Sequence, residues 1–273
     1  ALETYGDINT WDVSLITNMN SLFYNKTTFN SDIGNWDVSN VTEMERMFYD
    51  ARVFNQDLSN WDVSNLTDAY GMFERAYDFN GDISTWNVSN VTRTRKMFFM
   101  AYDFNSDISN WNVSNVTDMR EMLRDARVFN QDLSNWNVSS VTNMQYMFYQ
   151  AYDFNSDISN WDVSNVTNMQ YMFQSAEDFD QDISSWDISS VTTFSNMFLN
   201  THSLLLENRC VIHNAFSSNE SWTYDWDSSC DGIYKSQSTS DLQSVVNLWI
   251  SNNPLALETY GDINTWDVSL ITN

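Results

Sequence analysis

The sequence predicts an α/β solenoid, a fold in which short strand–helix units stack along one axis. A 25-residue phrase recurs without a gap, and seven unbroken copies fill residues 7–181 before an eighth begins at Asp182. Hydrophobic residues make up 42% of the chain, enough for a packed core. A unit this short buries its apolar face only against its neighbours, so the copies must stack. The same tryptophan marks every copy: Trp11, Trp36, Trp61, Trp86, Trp111, Trp136, Trp161 and Trp186.

The first half of each copy predicts a short strand. In residues 32–56, Trp36 and Val38 alternate with polar neighbours, as one face of a strand requires. Because the copies repeat at a fixed interval, these strands are expected to pair side by side in a parallel sheet.

The second half of each copy predicts a short helix. Thr42 lies where a helix N-cap belongs, and a capping role accounts for the threonine column better than an ice-binding hydroxyl array does. In three copies an acidic or amide side chain follows the threonine at the capping-box spacing, namely Glu45, Gln145 and Gln170. The apolar residues fall at helical spacing: Met44, Met47, Phe48 and Ala51.

A longer period surrounds the short one. Residues 256–273 are identical to residues 1–18, which indicates a tandem unit of 255 residues. Residues 1–6 are predicted to be the end of a lead-in helix closed by Gly6, and residues 7–199 the 25-residue-repeat solenoid. A disulfide-stapled, loop-rich cap is predicted at 200–239. A helical lead-in linker follows at 240–261, with a helix from Ser240 and a second helical stretch from Pro254, and the next solenoid unit starts at 262–273.

The two cysteines, Cys210 and Cys230, both lie in the predicted cap. We expect them to form a disulfide, which implies an oxidising compartment. Two histidines, His202 and His213, lie nearby, so a zinc site is the alternative. That alternative lacks the closely spaced ligand pairs that structural zinc sites use.

The formal net charge of −25 argues against nucleic acid and anionic membranes as main partners, because both require basic surface. No apolar run approaches the length of a membrane span, so membrane insertion is not expected. No serine–histidine–aspartate, cysteine–histidine or phosphate-loop arrangement is present, and we predict that the chain is not an enzyme.

Each copy begins with an aspartate, and stacked like charges repel each other. Either each carboxylate accepts backbone N–H bonds, which is the preferred interpretation, or calcium lies between the carboxylates. The phrase lacks the D-x-D-x-D loop that makes a calcium prediction specific, so calcium is the one possible cofactor and no other is predicted. The candidate ligands are Asp32, Asp57, Asp82, Asp107, Asp132 and Asp157.

Sequons for N-glycosylation are dense, although the phrase itself generates many of them. Asn25 and Asn219 lie where the copies are irregular, and we expect sugar there first. The other candidates are Asn40, Asn65, Asn90, Asn115 and Asn165, together with Asn87, Asn112 and Asn137.

The phrase F-N-x-D-[IL]-S-x-W-[DN]-V-S-x-V-T-x-M-x-x-M-F, repeated from residue 7 to about 199, resembles the 25-residue repeat of mycoplasma surface lipoproteins. That family is grouped with the BspA-like leucine-rich repeats and is also plentiful in microalgal surface proteins. The resemblance implies a leucine-rich-repeat-like right-handed coil, an extracellular or cell-surface location, roles in adhesion or matrix building, and no shared catalytic residues.

From the long period and the resemblance together we predict an extracellular structural protein that forms a long fibre or surface filament from tandem 255-residue units. Its expected partners are copies of itself, head to tail and laterally, and glycans are a further possibility. The alternative function is a surface adhesin that binds a host protein or glycan through the solenoid face.

Overall fold

The protein is a solenoid of eight coils, each built from one copy of the 25-residue phrase. Coil 1 begins at Asp7, and the coils follow at equal intervals to coil 8, which begins at Asp182. The computed structural model describes residues 5–226, residue 230 and residues 239–251.

Backbone hydrogen bonds join successive coils, and one residue of each coil forms a parallel β-bridge with the next coil. In coil 2, the Thr42 N–H donates back to the Thr17 carbonyl at 2.9 Å, and the Met44 N–H donates forward to the Asp68 carbonyl at 3.4 Å. The predicted strand at Trp36 and Val38 is therefore wrong, because the Trp36 N–H is used within its own turn. The bridging residues are Asn18, Glu43, Asp68, Arg93, Asp118, Asn143, Asn168 and Thr193.

The predicted helix is also wrong, and a series of turns takes its place. The N–H groups of Arg46, Phe48 and Asp50 donate to carbonyls of coil 3 at 2.8–2.9 Å, not to their own segment. Arg46 and Asp50 have φ angles of 51° and 55°, a left-handed conformation that an α-helix excludes. The predicted apolar face of this segment is nevertheless fully buried, because the turns bring Met44, Met47, Phe48 and Ala51 to the core.

The predicted N-cap role of the threonine column is wrong, because no helix follows these threonines in the coils. The Thr67 hydroxyl donates to the Thr42 carbonyl at 3.1 Å, and each following threonine repeats this bond to the coil before it. The predicted capping boxes are absent too, since Gln145 Nε2 donates to Gln170 Oε1 of the next coil at 3.1 Å. The Glu45 N–H donates across coils, to Asn20 Oδ1 at 2.6 Å. These side chains extend the ladder along the axis.

Aromatic columns fill the core. The Trp111 ring stacks on Trp86 with centroids 6.2 Å apart, and its Nε1 donates to the Ile83 carbonyl at 3.2 Å. Across the core, the Phe48 ring lies 6.3 Å from Trp61 of the next coil. The first half of each coil therefore packs against the second half, and the two halves present different sides of the solenoid to solvent.

The helices of the described residues lie at the start of coil 1 and after the Phe core of coil 8. A short 3-10 helix, η1 (Ile8–Thr10), opens coil 1. Helix α1 (Leu206–Phe216) follows coil 8, where the sequence predicts loop, and buries Cys210, Ile212 and Phe216 on one side. Helix α2 (Thr239–Ser251) begins one residue before its predicted start. No helix in the described part of the chain is long and apolar enough to cross a membrane.

The aromatic residues after α1 close the end of coil 8. Trp222 lies 5.2 Å from Phe194, and Trp226 lies 5.7 Å from Phe198, measured between ring centroids. The Tyr224 hydroxyl accepts the Phe198 N–H at 2.7 Å, a group that donates to the next coil elsewhere in the solenoid. The second helical stretch from Pro254 and the start of the next solenoid unit lie outside the described residues.

Candidate functional site

The coils differ from one another mainly at six positions, and we call the surface formed by these positions the variable face. Counted from the leading aspartate, they are positions 12, 14, 15, 18, 19 and 21 of the phrase. Most other positions keep one residue type or a close substitute. In coil 2 the variable face comprises Glu43, Glu45, Arg46, Tyr49, Asp50 and Arg52.

The variable face of coils 2–5 gathers most of the cations of an acidic chain. Of the twelve lysines and arginines in the sequence, the nine between residues 32 and 156 all occupy variable positions. They are Arg46, Arg52, Arg75, Arg93, Arg95, Lys96, Arg120, Arg124 and Arg127.

Tyrosine rings lie beneath several of these guanidinium groups. Arg46 and Arg93 lie 4.9 Å and 5.3 Å from the centroid of the Tyr70 ring, so one ring supports two cations from neighbouring coils. Arg124 lies 4.7 Å from the Tyr149 ring. Stacking of this kind is favourable and fixes the plane of the guanidinium group.

Ion pairs also hold the cations, and the anion always lies deeper. The Arg46 side chain is 37% exposed whereas its partner Glu74 is 6% exposed, and the same order holds in every ion pair of this surface. At these ion pairs solvent therefore meets guanidinium groups and rings, and the paired carboxylates lie below them, whereas Glu43 of coil 2 is exposed.

Burial sets the protonation of the deeper carboxylates. Burial of Glu74 raises its pKa, and the nearby charges of Lys96 and Arg46 offset this only in part. Burial also raises the pKa of Asp125, against the opposing charge of Arg124. For Asp118, burial alone would raise the pKa, but the hydrogen bonds from Arg120 outweigh it and the net pKa is lowered.

A second surface, the acidic face, carries aspartates at the first and sixth positions of the phrase. These carboxylates are exposed, and each accepts the backbone N–H of the serine two residues later in most coils, as in the 2.8 Å bond from Ser59 to Asp57. Hydrogen bonds from that serine lower the pKa of Asp57, Asp107 and Asp132. The aspartates of these columns thus accept backbone N–H groups, as the preferred interpretation of the sequence predicts.

The predicted calcium ligands follow the same pattern. Asp32 differs in that it accepts the Gly34 N–H at 2.8 Å, while Asp82 and Asp157 accept from serines. Nowhere in the described part of the chain do three or more carboxylate, histidine or cysteine side chains converge as metal ligands would.

The sequons divide into two groups by the state of the asparagine amide. Asn219 Nδ2 donates to the carbonyls of Ile188 and Val191 at 2.8 Å and 3.1 Å, so both of its hydrogens are used. In five sequons Nδ2 donates to a serine carbonyl of the preceding coil, namely Asn40, Asn65, Asn90, Asn115 and Asn165. The exposed sequons outside these two patterns are Asn25, Asn87, Asn112 and Asn137.

The cap contains the remaining predicted site residues. Cys210 and Cys230 form the predicted disulfide, with their Cα atoms 5.4 Å apart. His213 is buried, and its Nδ1 accepts the Trp222 Nε1–H at 3.0 Å. A zinc site built from the two cysteines is therefore excluded, because both thiols are in the disulfide.

The variable face was not predicted from the sequence, because the predictions rest on the positions that repeat and the signal for this surface lies in the positions that do not. That signal is visible in the sequence alone, because the nine cations all fall at variable positions.

A family model described as "Mycoplasma protein of unknown function, DUF285" matches residues 1–108, 71–169 and 95–209. No curated protein matches the sequence. A leucine-rich-repeat protein of Leptospira interrogans is 10% identical, with a TM-score of 0.26, 67% of this chain and 60% of that chain being covered. The TLR13–ssRNA13 complex is 9% identical, with a TM-score of 0.24 and coverage of 62% and 35%. The chain thus spans less than two thirds of either protein.

Proposed function

The chain belongs to the family described as "Mycoplasma protein of unknown function, DUF285", and on this premise we propose that it is an extracellular structural protein that forms a long fibre or surface filament. Its location would be the cell surface, and its role would be mechanical, without catalysis. The resemblance of the phrase to repeats of surface proteins supports this location, and the disulfide between Cys210 and Cys230 fits an oxidising compartment.

One observation carries the proposal: the first 18 residues of the sequence return without a change after 255 residues. A tandem unit of this length, consisting of a solenoid block and a stapled cap, extends a chain along one direction when it is repeated. Eight coils at about 4.8 Å each give a block of roughly 38 Å.

The proposed coil is leucine-rich-repeat-like and right-handed. Parallel pairing between successive coils supports the hand, because a crossover between parallel strands is right-handed in about 98% of cases. Every coil bonds to the coil before it and the coil after it, so load applied along the axis would pass through the backbone ladder from coil to coil.

Electron microscopy of the native material and scattering from tandem chains test the fibre. Chains of one, two and three 255-residue units should show a maximum dimension that rises by a constant increment per unit in small-angle X-ray scattering. Native material should show filaments with an axial repeat equal to that increment. Isolated globules in the micrographs, or a maximum dimension that stops growing with unit number, would refute the fibre.

A second candidate function is a surface adhesin, and the variable face favours it. Arginine and tyrosine are the residue types enriched at binding hot spots, and they concentrate on this one surface. An adhesin would bind a host protein or glycan there as a single rod, so its maximum dimension and its binding would not depend on tandem repetition.

A further inference from the structure

The outermost arginines of the variable face are held in place before any partner arrives. A guanidinium group already held over a ring loses less conformational entropy on binding, and with five N–H donors it keeps some for a new acceptor. Three exposed arginines lie over tyrosine rings in this way: Arg52 over Tyr77 at 5.5 Å, Arg93 over Tyr70 at 5.3 Å and Arg127 over Tyr102 at 3.9 Å.

This arrangement selects a partner that carries fixed carboxylates. Planar guanidinium groups bind carboxylates through paired, charge-assisted hydrogen bonds, and the neighbouring rings supply apolar contact. In the ion pairs of the variable face the anion lies below the cation, so an incoming carboxylate meets guanidinium groups such as those of Arg52 and Arg93 first. Glu43 of coil 2 is exposed.

The acidic face of the same chain has the required chemistry and the required spacing. Its leading aspartates repeat once per coil, which is the axial interval of the arginine-bearing coils. In coils 1–3 the sixth position is also aspartate, so each of these coils presents two carboxylates. The hydrogen bond from Ser64 to Asp62 Oδ1, at 3.0 Å, shows how one oxygen anchors the group.

We propose that the variable face of coils 2–5 binds the acidic face of a second copy of this chain, so that solenoids associate side by side. The two faces belong to different halves of the coil and lie on different sides of the core. A contact between unlike faces leaves one face of each copy open, so assembly continues in one lateral direction. This inference rests on the fibre proposed above and names its lateral contact.

Two complementary variants of the full chain, made in a bacterial host, test the contact. The arginine variant carries Arg52→Gln, Arg93→Gln and Arg127→Gln. The aspartate variant carries Asp12→Asn, Asp37→Asn and Asp62→Asn, which the fold accommodates because Asn87, Asn112 and Asn137 occupy the same position and Asn87 accepts the same serine N–H. Lys26→Gln, which removes a cation outside the variable face, is the control.

Sedimentation velocity over a range of concentrations gives the readout. We expect the parent chain and Lys26→Gln to form oligomers that grow with concentration, and each triple variant to associate at least about tenfold more weakly. An equimolar mixture of the two variants should form dimers and nothing larger, because one intact face remains on each. Circular dichroism and thermal melting establish that the variants are folded.

Other outcomes overturn the proposal. Monomers of the parent chain at all concentrations, or a mixture that does not dimerise, would refute the contact. Binding of a sulfated polysaccharide that is lost in the arginine variant but not in the aspartate variant, with no self-association, would assign the face to glycans. The fibre and its lateral contact can fail independently. Native filaments together with a parent chain that does not self-associate would support the fibre and refute the lateral contact. Dimers from the mixture without native filaments would support the contact and refute the fibre.

Discussion

Replacing a core tryptophan in the middle of the solenoid tests the most repeated contact of the fold. Trp111 lies in coil 5 and is 3% exposed. Its Nε1–H donates to the Ile83 carbonyl of coil 4, and its ring packs on Trp86 and Phe98 of the same coil, both at 6.2 Å. Trp111→Phe keeps an aromatic ring but removes the N–H and part of the ring volume. It therefore weakens the contact between coil 5 and coil 4 without adding a polar group.

The magnitude follows from these two losses. Trp111→Phe removes one of the two donors to the Ile83 carbonyl, which still accepts the Trp86 N–H at 3.2 Å, and the loss of that hydrogen bond costs about 0.5–1.5 kcal/mol. Removing the packed atoms of the indole costs about 1–2 kcal/mol more. We therefore expect the free energy of unfolding to fall by about 1.5–3.5 kcal/mol, a large share of the stability of a typical domain. Since each coil contacts only its neighbours, the loss falls on the coil 4–coil 5 interface, and the two halves of the solenoid should uncouple.

Urea unfolding followed by far-UV circular dichroism measures the change, and Trp11→Phe is the matched control. Trp11 holds the equivalent position in coil 1, but its ring is 42% exposed and its Nε1 donates to the Tyr5 carbonyl at 3.1 Å. That variant should lose less than about 1 kcal/mol. If Trp111→Phe costs no more than Trp11→Phe, the tryptophan ladder does not couple the coils and the reasoning fails.

Four further predictions concern backbone strain, the cap, protonation and glycosylation. Ser175→Gly should raise stability by up to about 1 kcal/mol in the same urea assay, because Ser175 has a φ of 56°; Ser184→Gly, where φ is not positive, should lower it. Cys230→Ser should lower the free energy of unfolding by about 3 kcal/mol, and a melting temperature equal to that of the parent would contradict a stapling role. Glu74→Gln should stabilise the protein at pH 7, because burial raises the folded-state pKa of Glu74 and its charged form therefore opposes folding above that pKa. The gain from the substitution should disappear as the pH falls through the folded-state pKa. A gain that does not depend on pH would exclude this cause. In a glycosylating host, glycopeptide mass spectrometry should find less sugar on sequon asparagines whose Nδ2 donates to a backbone carbonyl, such as Asn40 and Asn219, than on sequon asparagines outside these patterns. The favoured sites are Asn25, Asn87, Asn112 and Asn137. More sugar on the asparagines with a bonded Nδ2 would contradict this prediction.

The sequence predicted the features that depend on period and burial. A fixed interval with a constant tryptophan forces identical groups into a column, and the stacked rings of Trp86 and Trp111 follow from that alone. The same interval places asparagines in a column, in which Asn30 Oδ1 accepts the Asn55 N–H at 2.9 Å. The disulfide followed from the presence of two cysteines in one irregular segment.

The helix could not be excluded from the apolar spacing. Met44, Met47 and Phe48 reach the core from a chain of turns as well as they would from a helix, so burial does not distinguish the two backbones. The difference lies in where the N–H groups donate, and period reports nothing about that. The residues with positive φ offer a partial signal, because asparagine or aspartate occupies the second such position in four coils, at Asn25, Asp50, Asp125 and Asn200.

Repetition and variation therefore answer different questions in this molecule. A position that is the same in every coil is held by the coil before and the coil after it, as the Ile83 carbonyl is held by Trp111, so its constancy reports packing. At variable positions such as Arg46 and Asp50 the backbone N–H makes the repeated bond to the neighbouring coil, so the side chain can change, and these positions carry every cation between residues 32 and 156. The confinement of these cations to one side, above buried carboxylates such as Glu74, is the observation on which the proposed contact between copies rests.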